Sequence, residues 1–280
     1  MKRLECKALH YQWGRKGAES TVAQLRKDTI EEDEYYAELW MGTHARGPSQ
    51  VKEGEARIPL ADYFKDHPDV LGQHEKDGTG LQFLLKVLSV GKCLSLQLHP
   101  TKEQARELHA ADQANYPDDN HKPELTIALT DFEILCGFQK PDAILQNLRS
   151  HEALVELIGE KGLLSFDATQ GEEEKKAALK NIFTQIWTIP PEEIGTLLTK
   201  LLADIFLSNS KIFLLITYKI CSFSEEQRSQ TDDLIMGLSE HFPEDIGILA
   251  PLFLNYVKLK PGEATFLGPN EPHSYLSGGD

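Results

Sequence analysis

Apolar residues change their spacing twice along this chain, and that double switch restricts the folds open to it. From the start to about Phe138, short apolar runs are broken by Gly, Pro and Asp, as in "LQFLLKVLSV" and "ELTIALTDFEILCGF". Strand side chains point to opposite faces in turn, so runs of this kind read as β-strands. Leu125, Ile127 and Leu129 fall at alternate sites, the pattern of a half-buried strand. From Pro141 to about Leu238 the period becomes helical: Leu179, Ile182, Phe183 and Ile186 stand at i, i+3, i+4 and i+7. Pro190-Pro191 before "EEIGTLLTKLLADIFL" puts proline and two acids where a helix begins. "SEEQRSQTDDLIMGLSEHF" predicts a further helix, with Ser224 as its N-cap. After Pro243 the β texture returns. Pro261-Gly262 sets a tight turn, with Gly supplying φ > 0, and the flanking Phe253–Leu259 and Glu263–Leu267 are predicted to pair as a hairpin. A helical domain over 141–239 therefore interrupts a sheet domain made of 1–140 and 240–280. The expected fold is mainly β with an α insertion, an antiparallel β-barrel or jelly roll broken by helices.

Charge and cysteine usage narrow the function classes. A formal net charge of −15 argues against nucleic acid or an anionic membrane as partner, and any anionic substrate must meet a local basic pocket. Cys6, Cys93, Cys136 and Cys221 lie far apart with no CxxC pair, which reads as reduced, mostly buried thiols in a cytosolic protein. "MKRLECKALHYQWG" lacks the continuous apolar run of a signal peptide. "KIFLLITY" and "IGILAPLFLNYV" are too short to span a bilayer. A cytoplasmic protein is expected.

Three places concentrate metal-competent side chains. In "LSLQLHPTKE", alternation from Leu94 to His99 puts Leu94, Leu96 and Leu98 on one face and Ser95, Gln97 and His99 on the other, before Pro100 stops the strand. Glu124 opens a strand just after Pro123, and His273 follows the tight turn "GPNEP". One glutamine, one carboxylate and two imidazoles make a mixed N/O set suited to Zn²⁺ that can keep a position open for water or substrate. On spacing alone, core and surface explanations compete with this one. His10, His44, His67, His74, His109, His121, His151 and His241 read as surface or turn histidines.

Longer segments carry a resemblance. "SLQLHPTKEQARELH", "YPDDNHKPELTIALTDFEILCGF", "PGEATFLGPNEPHSYLSG", "YQWGRKG" and "ELWMGTHARGPS" resemble the type I phosphomannose isomerases, in order from Tyr11 to Gly278. The resemblance implies a zinc-binding cupin-type barrel with a helical insertion and a further β domain. It implies one Zn²⁺ per chain held by Gln97, His99, Glu124 and His273, with Lys122 and Ser95 at the substrate pocket. The implied activity interconverts mannose 6-phosphate and fructose 6-phosphate, feeding GDP-mannose synthesis. Lys122 is then expected either to shuttle a proton or to hold the substrate anion. Family members run on well past "HSYLSGG", through an acidic residue and an arginine with no counterpart here. The chain is accordingly expected to be a truncated form with impaired turnover, and a monomer. A non-catalytic cupin that binds zinc or a sugar phosphate is the alternative, and an Fe(II) cupin dioxygenase a weaker third, since Gln97 suits it poorly.

Overall fold

The computed structural model describes residues 2–26, 29–72, 80–168, 171–217 and 229–279. Strands β1 (Arg3–Glu5), β2 (Lys7–Leu9), β3 (Arg15–Lys16), β4 (Tyr35–Tyr36), β5 (Glu38–Met41), β6 (Gln50–Glu53) and β7 (Ala56–Pro59), with helices α1 (Thr21–Arg26) and α2 (Leu60–Asp66), lead into β8 (Leu85–Val90). Helix α3 (Lys102–Ala111) precedes β9 (Glu124–Ile127) and β10 (Phe132–Phe138). The insertion runs α4 (Pro141–Arg149), α5 (Glu152–Ile158), α6 (Glu160–Ala168), α7 (Glu172–Trp187), α8 (Pro191–Thr217) and α9 (Gln230–His241). The chain then returns to β11 (Leu254–Leu259), β12 (Ala264–Leu267) and β13 (His273–Gly279).

One six-stranded antiparallel sheet, in the order β11-β10-β13-β8-β5-β2, organises the molecule. Its alternate residues serve two cores. Phe132, Ile134, Leu259 and Tyr275 pack inward with Ala128 and Leu267 near the small β9–β12 sheet. Leu135, Leu254 and Leu276 point outward into the helices, against Ile144, Ile186, Leu198 and Leu201. Full burial of an aliphatic side chain contributes about 1.5–3 kcal/mol, so this seam holds the insertion to the sheet. Phe183 and Trp187 of α7 close it, each with its ring edge-on to Phe253 at 5.3 and 5.4 Å between centroids. The large antiparallel sheet with a helical insertion is as expected, although among the described residues helices hold more of the chain than strands.

Several local expectations change. The chain divides the "ELTIALTDFEILCGF" run into β9 and β10, and Leu125, Ile127 and Leu129 form the exposed face, Leu125 at 66%. Glu124, Thr126 and Ala128 face inward instead. Alternation fixes the period of a strand; the packing partner decides which face is covered. The Pro261-Gly262 turn forms, with Gly262 at φ +89° and the Glu263 N–H donating to Lys260 O at 2.9 Å. The hairpin does not: β11 pairs with β10 and β12 with β9, so the turn carries the chain from one sheet to the other.

Leu94–His99 is not a regular strand. Gln97 makes an isolated bridge to His273, while the Leu94 N–H donates to Tyr275 O. Four residues, 94–97, thus oppose three, 273–275, a bulge that breaks the alternation. Leu94 turns into the inner core, Leu96 into the helical core, and Leu98 is 58% exposed. Cys6, Cys93 and Cys136 are free and only partly buried, although burial still pushes each thiol up; Cys221 lies outside the described residues. His151, expected at the surface, is buried with Nε2 3.3 Å from Asp232 of α9; His74 lies outside the described residues. The α9 cap is Ser229, whose hydroxyl accepts from the Asp232 N–H; Ser224 lies outside the described residues. No helix among the described residues is long and apolar enough to cross a membrane.

Candidate metal centre

Glu124 heads β9 directly after Pro123, opposite Leu267 of β12. His273 heads β13 after Asn270 (φ +60°) and Pro272 have turned the chain. That turn pins the third segment: the Asn270 N–H donates to His99 O at 2.7 Å, and Gln97 and His273 exchange backbone hydrogen bonds at 2.8 and 3.0 Å. Three segments distant in sequence thereby converge.

The side chains meet at their polar ends. His99 Nε2 lies 3.1 Å from Glu124 Oε1, and His273 Nε2 lies 3.8 Å from Glu124 Oε2. One ligand atom from each of the three residues falls within 4.8 Å of the others. His273 Nδ1 stands 2.9 Å from Glu271 O; a carbonyl can only accept, so Nδ1–H is the donor, and in the neutral ring Nε2 holds the lone pair that can bind an ion. That Nε2 is buried without a hydrogen-bond partner among the described residues. A buried acceptor left unmatched costs about 1–3 kcal/mol, and a divalent cation is the partner that two imidazoles and a carboxylate suit. The donor set fits zinc.

Electrostatics favour the ionised form of the acid. Burial pushes the Glu124 carboxyl up, but hydrogen bonds to His99 and Tyr275, with the His273 and His99 charges, outweigh it and bring it down to about 2. The Tyr275 hydroxyl donates to Glu124 Oε2 and lies 2.8 Å from Thr126 Oγ1. Neither Tyr275 nor Thr126 figures among the residues expected from sequence. A signal existed: each stands two residues after a ligand candidate on a strand, hence on the same face.

The other expected residues sit as follows. Gln97 is half-buried and joined to His273 through its backbone. Lys122 is exposed on the loop before β9, with Nζ 3.5 Å from Asp118. Ser95 is exposed and lines a cavity of about 830 Å³ between sheet and insertion, beside Trp13, Leu96, Trp187, Leu238 and Ser274. His99, Glu124 and His273 are not among the residues lining that cavity.

Comparison with known proteins agrees with this architecture. The family model for the catalytic domain of type I phosphomannose isomerase matches residues 1–141, and that for the family's helical insertion domain matches 157–254. A probable mannose-6-phosphate isomerase of Caenorhabditis elegans is 42% identical over 282 residues, covering 99% of this chain and 63% of the relative. The Aspergillus fumigatus mannose-6-phosphate isomerase is 40% identical over 294 residues, covering 99% of this chain and 64% of that protein. Among solved structures, a zinc-bound mannose 6-phosphate isomerase superposes with TM-score 0.75 at 28% identity, over 99% of this chain and 66% of its own. The Salmonella typhimurium mannose 6-phosphate isomerase bound to substrate and zinc gives TM-score 0.74 at 28% identity, over 100% and 66%. The chain spans less than two thirds of the length of these curated relatives. It belongs to the type I phosphomannose isomerase family.

Proposed function

We propose that this chain carries the metal-binding catalytic part of a mannose-6-phosphate isomerase, with Gln97, His99, Glu124 and His273 holding one Zn²⁺. The observation behind this reading is the buried, unpartnered Nε2 of His273 facing His99 and the ionised Glu124. Zinc, when bound, supplies a Lewis acid next to the sugar oxygens on which charge builds during aldose–ketose exchange. The chain's own groups prepare that site. Glu271 O fixes Nδ1 as the His273 donor, so that Nε2 is the nitrogen offered to an ion, and Glu124 brings a negative charge into a half-buried position.

Moving a proton between C1 and C2 needs an acid–base group, and Lys122 takes either that role or the grip on the substrate anion. Its place two residues before Glu124 supports the assignment. Ser95 is assigned to substrate contact through its motif. The division into a sheet domain (1–140, 240–280) and a helical domain (141–239), a monomeric state and a cytoplasmic location belong to the same proposal.

Metal analysis of the purified protein combined with a coupled fructose 6-phosphate assay tests it. One zinc per chain with turnover of mannose 6-phosphate supports the reading. Zinc without turnover replaces it with a non-catalytic module that binds zinc or a sugar phosphate, iron points to the dioxygenase class, and the absence of bound metal contradicts both the isomerase and the dioxygenase. Lys122→Met with full turnover at full zinc content would eliminate both roles given to that lysine.

A further inference from the structure

Glu124 and His273 each head a strand, and each is followed two residues later by a hydrogen-bonding side chain on the same face, Thr126 and Tyr275. The two supporting residues meet. Tyr275 donates to Glu124 Oε2, and Thr126 Oγ1 lies 2.8 Å from the phenol oxygen. A phenol has one proton and an ionised carboxylate only accepts, so that proton goes to Glu124. Thr126 must then donate to the phenol oxygen, and the chain Thr126 to Tyr275 to Glu124 has one direction. Its members are held. Thr126 is buried on β9, and the Tyr275 ring packs edge-on against Phe132 at 5.5 Å between centroids, in the core with Ile134 and Leu259.

The two carboxylate oxygens therefore differ. Oε2 is engaged by the phenol, whereas Oε1 faces His99 Nε2 at 3.1 Å. Two ligands bound at about 2.0–2.1 Å to one ion, at an angle of about 90–110°, stand roughly 2.9–3.4 Å apart, a range that includes the His99–Oε1 separation. From this we infer that Tyr275, backed by Thr126, is a positioning residue that restricts Glu124 to one metal-binding oxygen and so keeps a coordination position open for a sugar oxygen or water. The inference rests on the metal-centre reading above. It assigns the open position to a neighbour of the ligands and not to the number of ligands alone.

The test is the visible spectrum of the Co²⁺-loaded protein, which reports coordination number without reference to activity. Wild-type protein is expected to show the intense bands of a low-coordinate ion. In Tyr275→Phe the freed Oε2 joins the ion, and the bands fall more than about twofold as coordination number rises. Thr126→Val changes the spectrum in the same direction but less, and Thr126→Ser, which keeps the donor, restores it. Should Tyr275→Phe fail to fold, the Thr126 pair decides the matter. Wild-type spectra in Tyr275→Phe and Thr126→Val would overturn the inference alone. A wild-type chain that binds neither Co²⁺ nor Zn²⁺ would overturn the metal-centre reading and this inference with it.

Discussion

The helical insertion and the β9–β12 sheet use their apolar residues in opposite ways. In α7 the i, i+3, i+4, i+7 stripe places Ile182 and Ile186 in the core, as the spacing predicts. In β9 an equally regular stripe, Leu125 and Ile127, faces out, opposite the 62% exposed Phe266 of β12, while Glu124 and Thr126 take the inner face. A helix's apolar stripe selects its own buried side. A strand offers two faces, and here the inner one is occupied by a polar site.

Substitutions can break that comparison, and the largest effect is expected at the site. His273→Ala removes the bare imidazole nitrogen, so zinc binding should be lost, measured as metal content after dialysis. Its metal-free thermal unfolding should shift far less than that of a helical-core variant. Leu201→Ala, at a fully buried α8 position, should cost about 2–5 kcal/mol in denaturant unfolding while leaving zinc content at one per chain. Gly262→Ala is intermediate. Nothing lies within 4 Å of an added Cβ, so the expected loss of about 1 kcal/mol comes from φ +89° alone. Leu125→Thr sharpens the contrast from the other end, with a change within about 0.5 kcal/mol despite its core-like spacing.

Acid provides a further probe of the same site. The Glu124 carboxyl is depressed from its ordinary 4.5 to about 2 in the folded metal-free protein, so the unfolded chain takes up that proton first. Its contribution to stability is present above about pH 4.5 and is lost as pH falls toward 2. Glu124→Gln should flatten the pH dependence of unfolding across that window, followed by circular dichroism.

How much could be read from residues alone follows the same division. The β–α–β order, the α7 stripe and the Pro261-Gly262 turn are local, set by period, proline and glycine. His99, Glu124 and His273 were legible as a mixed donor set, although their convergence depends on contacts between distant segments, such as Asn270 to His99 and Gln97 to His273. What local patterns missed is non-local. The bulge at Leu94–Gln97 arises because four residues oppose three on β13, and no alternation within "LSLQLH" encodes it. The β11–β12 hairpin failed because each strand had another partner waiting, β10 and β9. His151 went unrecognised because its burial depends on α9, some eighty residues on.

Zinc K-edge X-ray absorption on the purified protein addresses the metal centre most directly. A first shell of nitrogen and oxygen at about 2.0–2.1 Å, with the outer-shell scattering of two imidazoles, is the predicted result. A sulfur shell near about 2.3 Å, or zinc without imidazole scattering, would contradict it.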